Sequence, residues 1–181
     1  MRIISGTAKG RKLATPLDDR VRPTTDRIRE SLFSILGSFE DCTVLDAFAG
    51  TGALGCEALS RGATRVCFAD NAAASIALVT DNVARVHAED RAEIIHGSYE
   101  LALRRMSFDP DVVFLDPPYN QGLTNAALEV LANAPRITAG ALVVCEQHAD
   151  EPPCQHPAFT LDDERLYGSV RLRLFLRNDD E

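Results

Sequence analysis

Between Thr43 and Cys145 the chain alternates short apolar runs with amphipathic or alanine-rich stretches, and this alternation constrains the fold more than any other feature of the sequence. The runs Thr43–Phe48, Arg65–Ala69, Ala92–Ile95, Val112–Leu115 and Ala141–Cys145 read as strands. The stretches Ala53–Arg61, Ala72–Val86, Tyr99–Met106 and Thr124–Ala134 read as helices, the first closed by Gly62 and the last by Pro135. A strand that reaches the next strand through a helix must run parallel to it, and a parallel sheet needs helices on both faces. The C-terminus departs from this pattern. Phe159–Tyr167 and Ser169–Arg177 flank Gly168 with no helix between them, and Val170, Leu172, Leu174 and Leu176 alternate with mostly basic residues, which predicts an antiparallel hairpin at the end of the sheet. Upstream, Arg2–Ser5 and Arg11–Ala14 around Gly6 and Gly10 predict a short β-hairpin. Pro23-Thr24-Thr25-Asp26 then starts a helix, in which Ile28, Leu32, Ile35 and Leu36 recur at helical spacing until Gly37. The expected organisation is a basic hairpin extension over residues 1–22 and one α/β domain over residues 23–181.

A length of 181 residues supports one well-buried core. Nothing in the sequence is long and apolar enough to cross a bilayer, and the N-terminus lacks the apolar block of a secretory signal, so a cytoplasmic protein is expected. Cys42, Cys56, Cys67, Cys145 and Cys154 include no C-x-x-C pair, and the four histidines show no ligand spacing. No metal is expected. The net charge of −8 is distributed unevenly. Residues 1–30 carry eight basic and four acidic side chains, whereas residues 31–181 carry eleven and twenty-three. Such a basic front either meets nucleic-acid phosphates or is a solvated face; Lys9, Arg11, Lys12, Arg22 and Arg27 are the candidate phosphate contacts. Arg22 and Arg27 flank a helix start and have the alternative of lying over a cofactor pocket.

Thr43–Gly55 reads T-V-L-D-A-F-A-G-T-G-A-L-G, a strand running through a glycine turn into a helix. Gly50, Gly52 and Gly55 satisfy G-x-G-x-x-G, and Asp70 lies at the end of the next strand, so a nicotinamide dehydrogenase must be considered. Asp46 argues against it. A carboxylate just ahead of the glycines repels a pyrophosphate but accepts hydrogen bonds from the ammonium of a bound amino acid, and S-adenosylmethionine carries an ammonium and no phosphate. On this reading Asp46 faces the ammonium of the cofactor, Gly50 and Gly52 let it approach the main chain, and Asp70, with Asn71 beside it, faces the ribose.

Val112–Leu115 delivers Asp116-Pro117-Pro118-Tyr119 to the carboxyl edge of the sheet, where open α/β sheets bind ligands. Prolines donate no N–H and hold the preceding residue extended, so the carbonyls of Asp116 and Pro117 are free and, with the Asp116 carboxylate, make an acceptor-only cluster. That cluster matches an –NH₂ group with two protons to donate. The exocyclic amine of a base is a poor nucleophile; two fixed acceptors orient it and stabilise the charge that develops on methylation. Tyr119 offers an aromatic face for an unstacked base. Asp116, Pro117 and Tyr119 are therefore the candidate catalytic residues. Gly97-Ser98-Tyr99 follows the third strand. Ser98 and the Tyr99 backbone N–H either contact the adenine of the cofactor or serve the helix start, with Ser98 as its cap.

On four segments the chain resembles the RsmD family of 16S rRNA (guanine(966)-N2)-methyltransferases: Arg2–Leu13, R-P-T-T-D-R-I-R-E-S-L-F-S-I-L at Arg22–Leu36, Val44–Ala63 and D-P-P-Y at Asp116–Tyr119. The second segment is the selective one. The resemblance implies a class I, Rossmann-like, S-adenosylmethionine-dependent methyltransferase fold with a seven-stranded sheet. It also implies methylation of one guanine amine in 16S rRNA, within the small subunit or its assembly intermediate, by a monomer. Ser98 stands where relatives commonly have an acidic residue or asparagine, and Ala72 where a second acid often follows the ribose carboxylate. The competing readings are an amino-methyltransferase acting on DNA adenine or protein glutamine, and a non-catalytic ribosome-assembly factor.

Overall fold

The computed structural model describes residues 1–16 and 23–179, and of residues 23–25 the backbone. In chain order the elements are α1 (Pro23–Leu36), β1 (Thr43–Asp46), α2 (Ala53–Ser60), β2 (Arg65–Asp70), α3 (Ala73–Arg85), β3 (Ala92–His96), α4 (Tyr99–Arg105), β4 (Val112–Leu115), α5 (Leu123–Ala132), β5 (Leu142–His148), β6 (Phe159–Tyr167) and β7 (Val170–Arg177). They build one seven-stranded sheet in the order β3-β2-β1-β4-β5-β7-β6. The first five strands in that order are parallel; β7 runs antiparallel to both β5 and β6. Among the described residues no helix is long and apolar enough to cross a membrane.

The strand order reverses between β1 and β4. The chain moves outwards from β1 through β2 to β3, then returns to place β4 on the other side of β1. The helices that follow the two inner strands therefore diverge to opposite faces and leave a crevice at the carboxyl ends of β1 and β4. Register brings Asp46 of β1 opposite Phe114, two residues before Asp116. Both faces of β4 are covered, with Val112 and Phe114 in one apolar cluster and Val113 and Leu115 in the other, so this strand and the crevice at its end are rigidly held. On the first face Phe33, Phe39 and Phe114 pack with ring centroids 5.5 to 6.2 Å apart, which ties α1 to the centre of the sheet.

The N-terminal segment differs from expectation. In place of a hairpin of two strands there is a single antiparallel bridge, Arg2↔Lys12, around a series of turns. The backbone of this segment is satisfied partly from within, the Ile3 N–H bonding the Arg11 carbonyl and the Leu13 N–H the Met1 carbonyl, and partly by the helices beneath it. Glu57 of α2, fully buried, accepts hydrogen bonds from the N–H groups of Ile4 (2.8 Å) and Ser5 (3.0 Å). Ser60 accepts at its Oγ from the Ala8 N–H (2.9 Å) and at its carbonyl from the Thr7 N–H (2.8 Å). Buried Asn82 of α3 accepts from the Ala14 N–H and donates to the carbonyls of Ala14 and Thr51. Ile3, Ala8 and Leu13 complete the attachment by entering the same core cluster as α1 and α2.

Glu57 is the central anchor, since its carboxylate also receives Arg61 Nε at 2.8 Å. Glu57→Gln turns an amide N–H₂ towards donors and removes the charge facing Arg61, whose guanidinium keeps the Phe33 and Gly37 carbonyls, and is expected to cost about 1–3 kcal/mol of unfolding free energy. Denaturant unfolding measures the loss, and amide exchange at Ile4 and Ser5 is expected to accelerate ahead of the rest of the chain.

Candidate active site

Four strands, β1, β2, β4 and β5, reach the carboxyl edge beside one another, and each carries an acid there or at the next position: Asp46, Asp70, Asp116 and Glu146. Two of these acids shape the loop after β1. Gly50 and Gly52 have φ of 54° and 75°, left-handed conformations that favour glycine, and they turn the chain into α2. Asp70 Oδ2 accepts from the Gly50 N–H at 2.9 Å while its Oδ1 accepts from Ala72 at 2.8 Å. Asp46 Oδ2 accepts from the Gly55 N–H at 3.0 Å, filling one of the donors left open in the first turn of α2. Gly55 lets that helix sit on the sheet: a Cβ there would lie 2.2 Å from the Phe68 ring.

Asp46 is almost wholly buried, at 1% exposure. Burial pushes its carboxyl up to about 7, against the Gly55 hydrogen bond and with the help of Asp70.

A cleft of about 920 Å³ lies over this edge, with Phe48, Gly50, Asp70, Asn71, Asp116 and Tyr119 in its walls. It shares Phe48, Gly50, Asp116 and Glu146 with a smaller chamber of about 200 Å³ that also has Asp46, Arg29 and Met1 in its lining. Arg29 projects from α1 and is only 5% exposed. One end of its guanidinium bonds the Arg2 carbonyl and Asp26, but Nε and Nη1 are buried without a hydrogen-bond partner. Burial lowers the pKa of this guanidinium, and Asp26, Glu57, Cys56 and Glu30 oppose that effect.

Asp116 is exposed, opens to the cleft and has no hydrogen-bond partner among the described residues. Desolvation, then the charges of Glu146 and Asp46, raise its pKa well above the ordinary range. The carbonyl of Pro117 accepts no backbone hydrogen bond among the described residues. Tyr119 donates its hydroxyl to Glu146 Oε1 and places its ring 5.8 Å from that of His148. Desolvation, with Glu146 foremost among the neighbouring acids, raises the Tyr119 pKa.

The geometry thus brings together Asp46, Gly50, Asp70, Asn71, Asp116, Pro117 and Tyr119 around the two cavities, with Gly52 supporting the loop from behind. Ser98 and Tyr99 are not among the residues lining the cleft. Ser98 holds the N-cap position of α4 without a side-chain cap bond, and the Tyr99 ring is buried with its centroid 5.3 Å from that of Phe48. Lys9, Arg11, Lys12 and Arg27 are exposed, with the Arg11 guanidinium donating to the Arg85 carbonyl at 2.6 Å. Arg22 lies outside the described residues. No group of three or more His, Cys, Asp or Glu side chains is placed to hold a metal among the described residues. Sequence reasoning missed Arg29 as a lining residue and Glu146 altogether, because the predicted fifth strand stopped at Cys145 whereas β5 runs on to His148.

The family described as conserved hypothetical protein 95 matches residues 1–176. Ribosomal RNA small subunit methyltransferase D of Escherichia coli K12 is 35% identical over 179 residues, covering 98% of this chain and 90% of that protein. The solved structure of the Escherichia coli protein yhhF superposes with a TM-score of 0.86 at 34% identity, covering 99% of both chains. SMU.776, solved in complex with SAH, has a TM-score of 0.67 at 18% identity and covers 86% of this chain and 50% of that one, a likeness of fold alone. Taken over nearly its whole length, and in agreement with its four sequence motifs, the chain belongs to the conserved hypothetical protein 95 family, the RsmD family, and has the Rossmann-like methyltransferase fold.

Proposed function

We propose that the protein methylates the exocyclic N2 amine of a guanine in the 16S rRNA of the small ribosomal subunit, guanine 966 being the position implied by the family resemblance. The coarser statement, an S-adenosylmethionine-dependent rRNA methyltransferase, follows from the family and the fold. The observation that carries the finer reading is the acceptor-only cluster of the Asp116 carboxylate and the Pro117 carbonyl, unpaired at the switch point of the sheet and flanked by the Tyr119 ring.

The small chamber provides a test of fit for the cofactor. Its lining holds the carboxylates of Asp46, Asp116 and Glu146 and one guanidinium, Arg29; Asp46 and Arg29 make no ion pair with each other, and two nitrogens of the latter lack partners. An α-amino acid zwitterion answers both: its ammonium to Asp46, its carboxylate to Arg29. Asp70 spends one lone pair of each oxygen on the Gly50 and Ala72 N–H groups and keeps others for the ribose hydroxyls, with Asn71 beside it. When bound, the cofactor supplies an electrophilic methyl on a sulfonium sulfur.

Asp116 and the Pro117 carbonyl accept the two amine protons and hold the nitrogen lone pair towards that methyl. They stabilise the positive charge as the N–C bond forms and the C–S bond breaks, and the surplus amine proton then leaves. Tyr119 supports the base by stacking. Exposed Lys9, Arg11, Lys12 and Arg27, with Arg22, supply the phosphate contacts that an otherwise acidic body needs on rRNA.

Base-resolved mapping of methylation on small subunits, with and without the protein, tests the reading. Modification of a guanine N2 is expected with the wild type. Asp116→Ala is expected to abolish it while cofactor affinity stays within a few fold; substantial turnover by this variant removes Asp116 from the chemistry.

The raised Asp46 pKa gives cofactor binding a definite pH dependence. Below about 7 the carboxyl of the ligand-free protein is largely protonated, and binding an ammonium requires it to ionise. Affinity is therefore expected to rise with pH by up to about tenfold per unit and to level off above about pH 7, with proton release on binding below that point. The same sign makes Asp46 reduce the stability of the ligand-free fold as pH rises towards 7. Calorimetry across pH checks the first effect, and Asp46→Asn is expected to flatten the curve.

Arg29→Met is expected to weaken S-adenosylmethionine by roughly 1.5–3 kcal/mol, the value of a charge-assisted hydrogen bond, and to leave a decarboxylated analogue unaffected. Equal losses for both ligands would show that Arg29 acts only through packing.

A further inference from the structure

Glu146 is a strongly placed side chain without a role in the reaction derived above. The last paired residues of β4 and β5 are Leu115 and Cys145, so Asp116 and Glu146 occupy the next, laterally adjacent positions at the edge of the sheet. Both line the cleft and the chamber. Tyr119 occupies Glu146 Oε1, and Oε2 has no hydrogen-bond partner among the described residues. The site therefore presents three acceptors side by side: the Pro117 carbonyl, the Asp116 carboxylate and the second oxygen of Glu146.

Substrate amines differ in what stands next to them. The adenine N6 amine is flanked by the bare ring nitrogens N1 and N7, and the cytosine N4 amine by bare N3. A glutamine amide N–H₂ is flanked by its own carbonyl oxygen. Each of these sets a lone pair beside the amine, which would face a carboxylate. Guanine alone among them has a protonated nitrogen, N1–H, on one side of its N2 amine, with bare N3 on the other, so its N1–H/N2 edge offers three adjacent N–H donors when N1–H is the side turned to Glu146. We infer that Glu146 is the specificity residue of this site and that its carboxylate accepts the guanine N1–H while Asp116 and Pro117 hold the N2 amine.

The inference rests on the guanine reading and extends it: the Asp116 cluster selects for an amine, and Glu146 selects which amine. Two neighbouring carboxylates in a partly dehydrated cleft repel each other, and burial raises the pKa of Glu146. A substrate that brings a donor to each relieves that repulsion. Tyr119 gains a second function as the residue that fixes the orientation of Glu146.

The test uses small subunits reconstituted with 2-aminopurine in place of guanine at the position that the wild type methylates. This base keeps the 2-amine but has a bare N1. Wild-type protein is expected to prefer guanine in kcat/KM by roughly 10²–10⁴-fold, because a site built to bond an N–H leaves an acceptor unpaired against an analogue that lacks it. Glu146→Gln, whose amide can donate to bare N1, is expected to shrink that ratio by about tenfold or more. Tyr119→Phe, which keeps the carboxylate but frees its orientation, is expected to lower both rates and to shrink the ratio by less than Glu146→Gln does. A wild type that accepts 2-aminopurine as readily as guanine overturns the assignment without any variant. So does a Glu146→Gln protein that loses both substrates by the same factor, as a purely structural role would require. If the mapped product of the wild type is not a guanine N2 amine, the guanine reading and this assignment fall together; if it is, and the ratio fails to move, the assignment alone falls.

Discussion

The bonds from Asp46 and Asp70 to backbone N–H groups are the constraint around which the site is organised. The loop after β1 contains two left-handed glycines; the Phe48 ring against Tyr99 and backbone bonds from Ala47 and Ala49 to the adjacent strands hold its first half. It is positioned by carboxylates reaching from the ends of two adjacent strands, one to Gly55 at the start of α2 and the other to Gly50 and Ala72. Register between β1 and β2 fixes where those carboxylates are, so the precision of a parallel ladder passes to an irregular segment. Burying Asp46 at 1% exposure carries a desolvation cost, and it leaves a group whose ionisation a cation can tune.

The same edge explains what was legible in the sequence and what was not. The β-α alternation, the glycine turn and D-P-P-Y are local patterns, and the parallel sheet, the reversal of strand order and the positions of Asp46, Asp70 and Asp116 follow from them and the topology rules of open sheets. Glu146 obeys the same rule, being the first acid at the end of a central strand. It was missed because C-E-Q-H ends the apolar run early, and β5 continues only because β7 pairs with it through His148↔Val170. That pairing is non-local, and no pattern in residues 141–148 encodes it. Arg29 lay inside the most selective motif, yet its unpartnered nitrogens depend on how α1 packs, which a helical period does not disclose.

The basic front illustrates a different failure. Alternating residues and glycines around positions 2–14 resemble a hairpin, and in isolation a hairpin is the natural way to satisfy that backbone. Glu57, Ser60 and Asn82 offer better partners, buried and pre-positioned on helices, and the segment takes them. Its apolar residues face inwards while Lys9, Arg11 and Lys12 stay outside, so the charge asymmetry of the sequence survives as a surface, and of the hairpin one antiparallel bridge remains.

That attachment also ties distant parts of the chain together. Ile4 bonds a side chain 53 residues away and Ala14 one 68 residues away, so this segment is ordered only together with the helices beneath it. Met1 and Arg29 border the chamber, and Arg29 is held by the carbonyl of Arg2. The wall of the chamber therefore depends on contacts made away from it: whatever loosens Ile4 and Ser5 from Glu57 also loosens the neighbouring Arg2 carbonyl that holds Arg29.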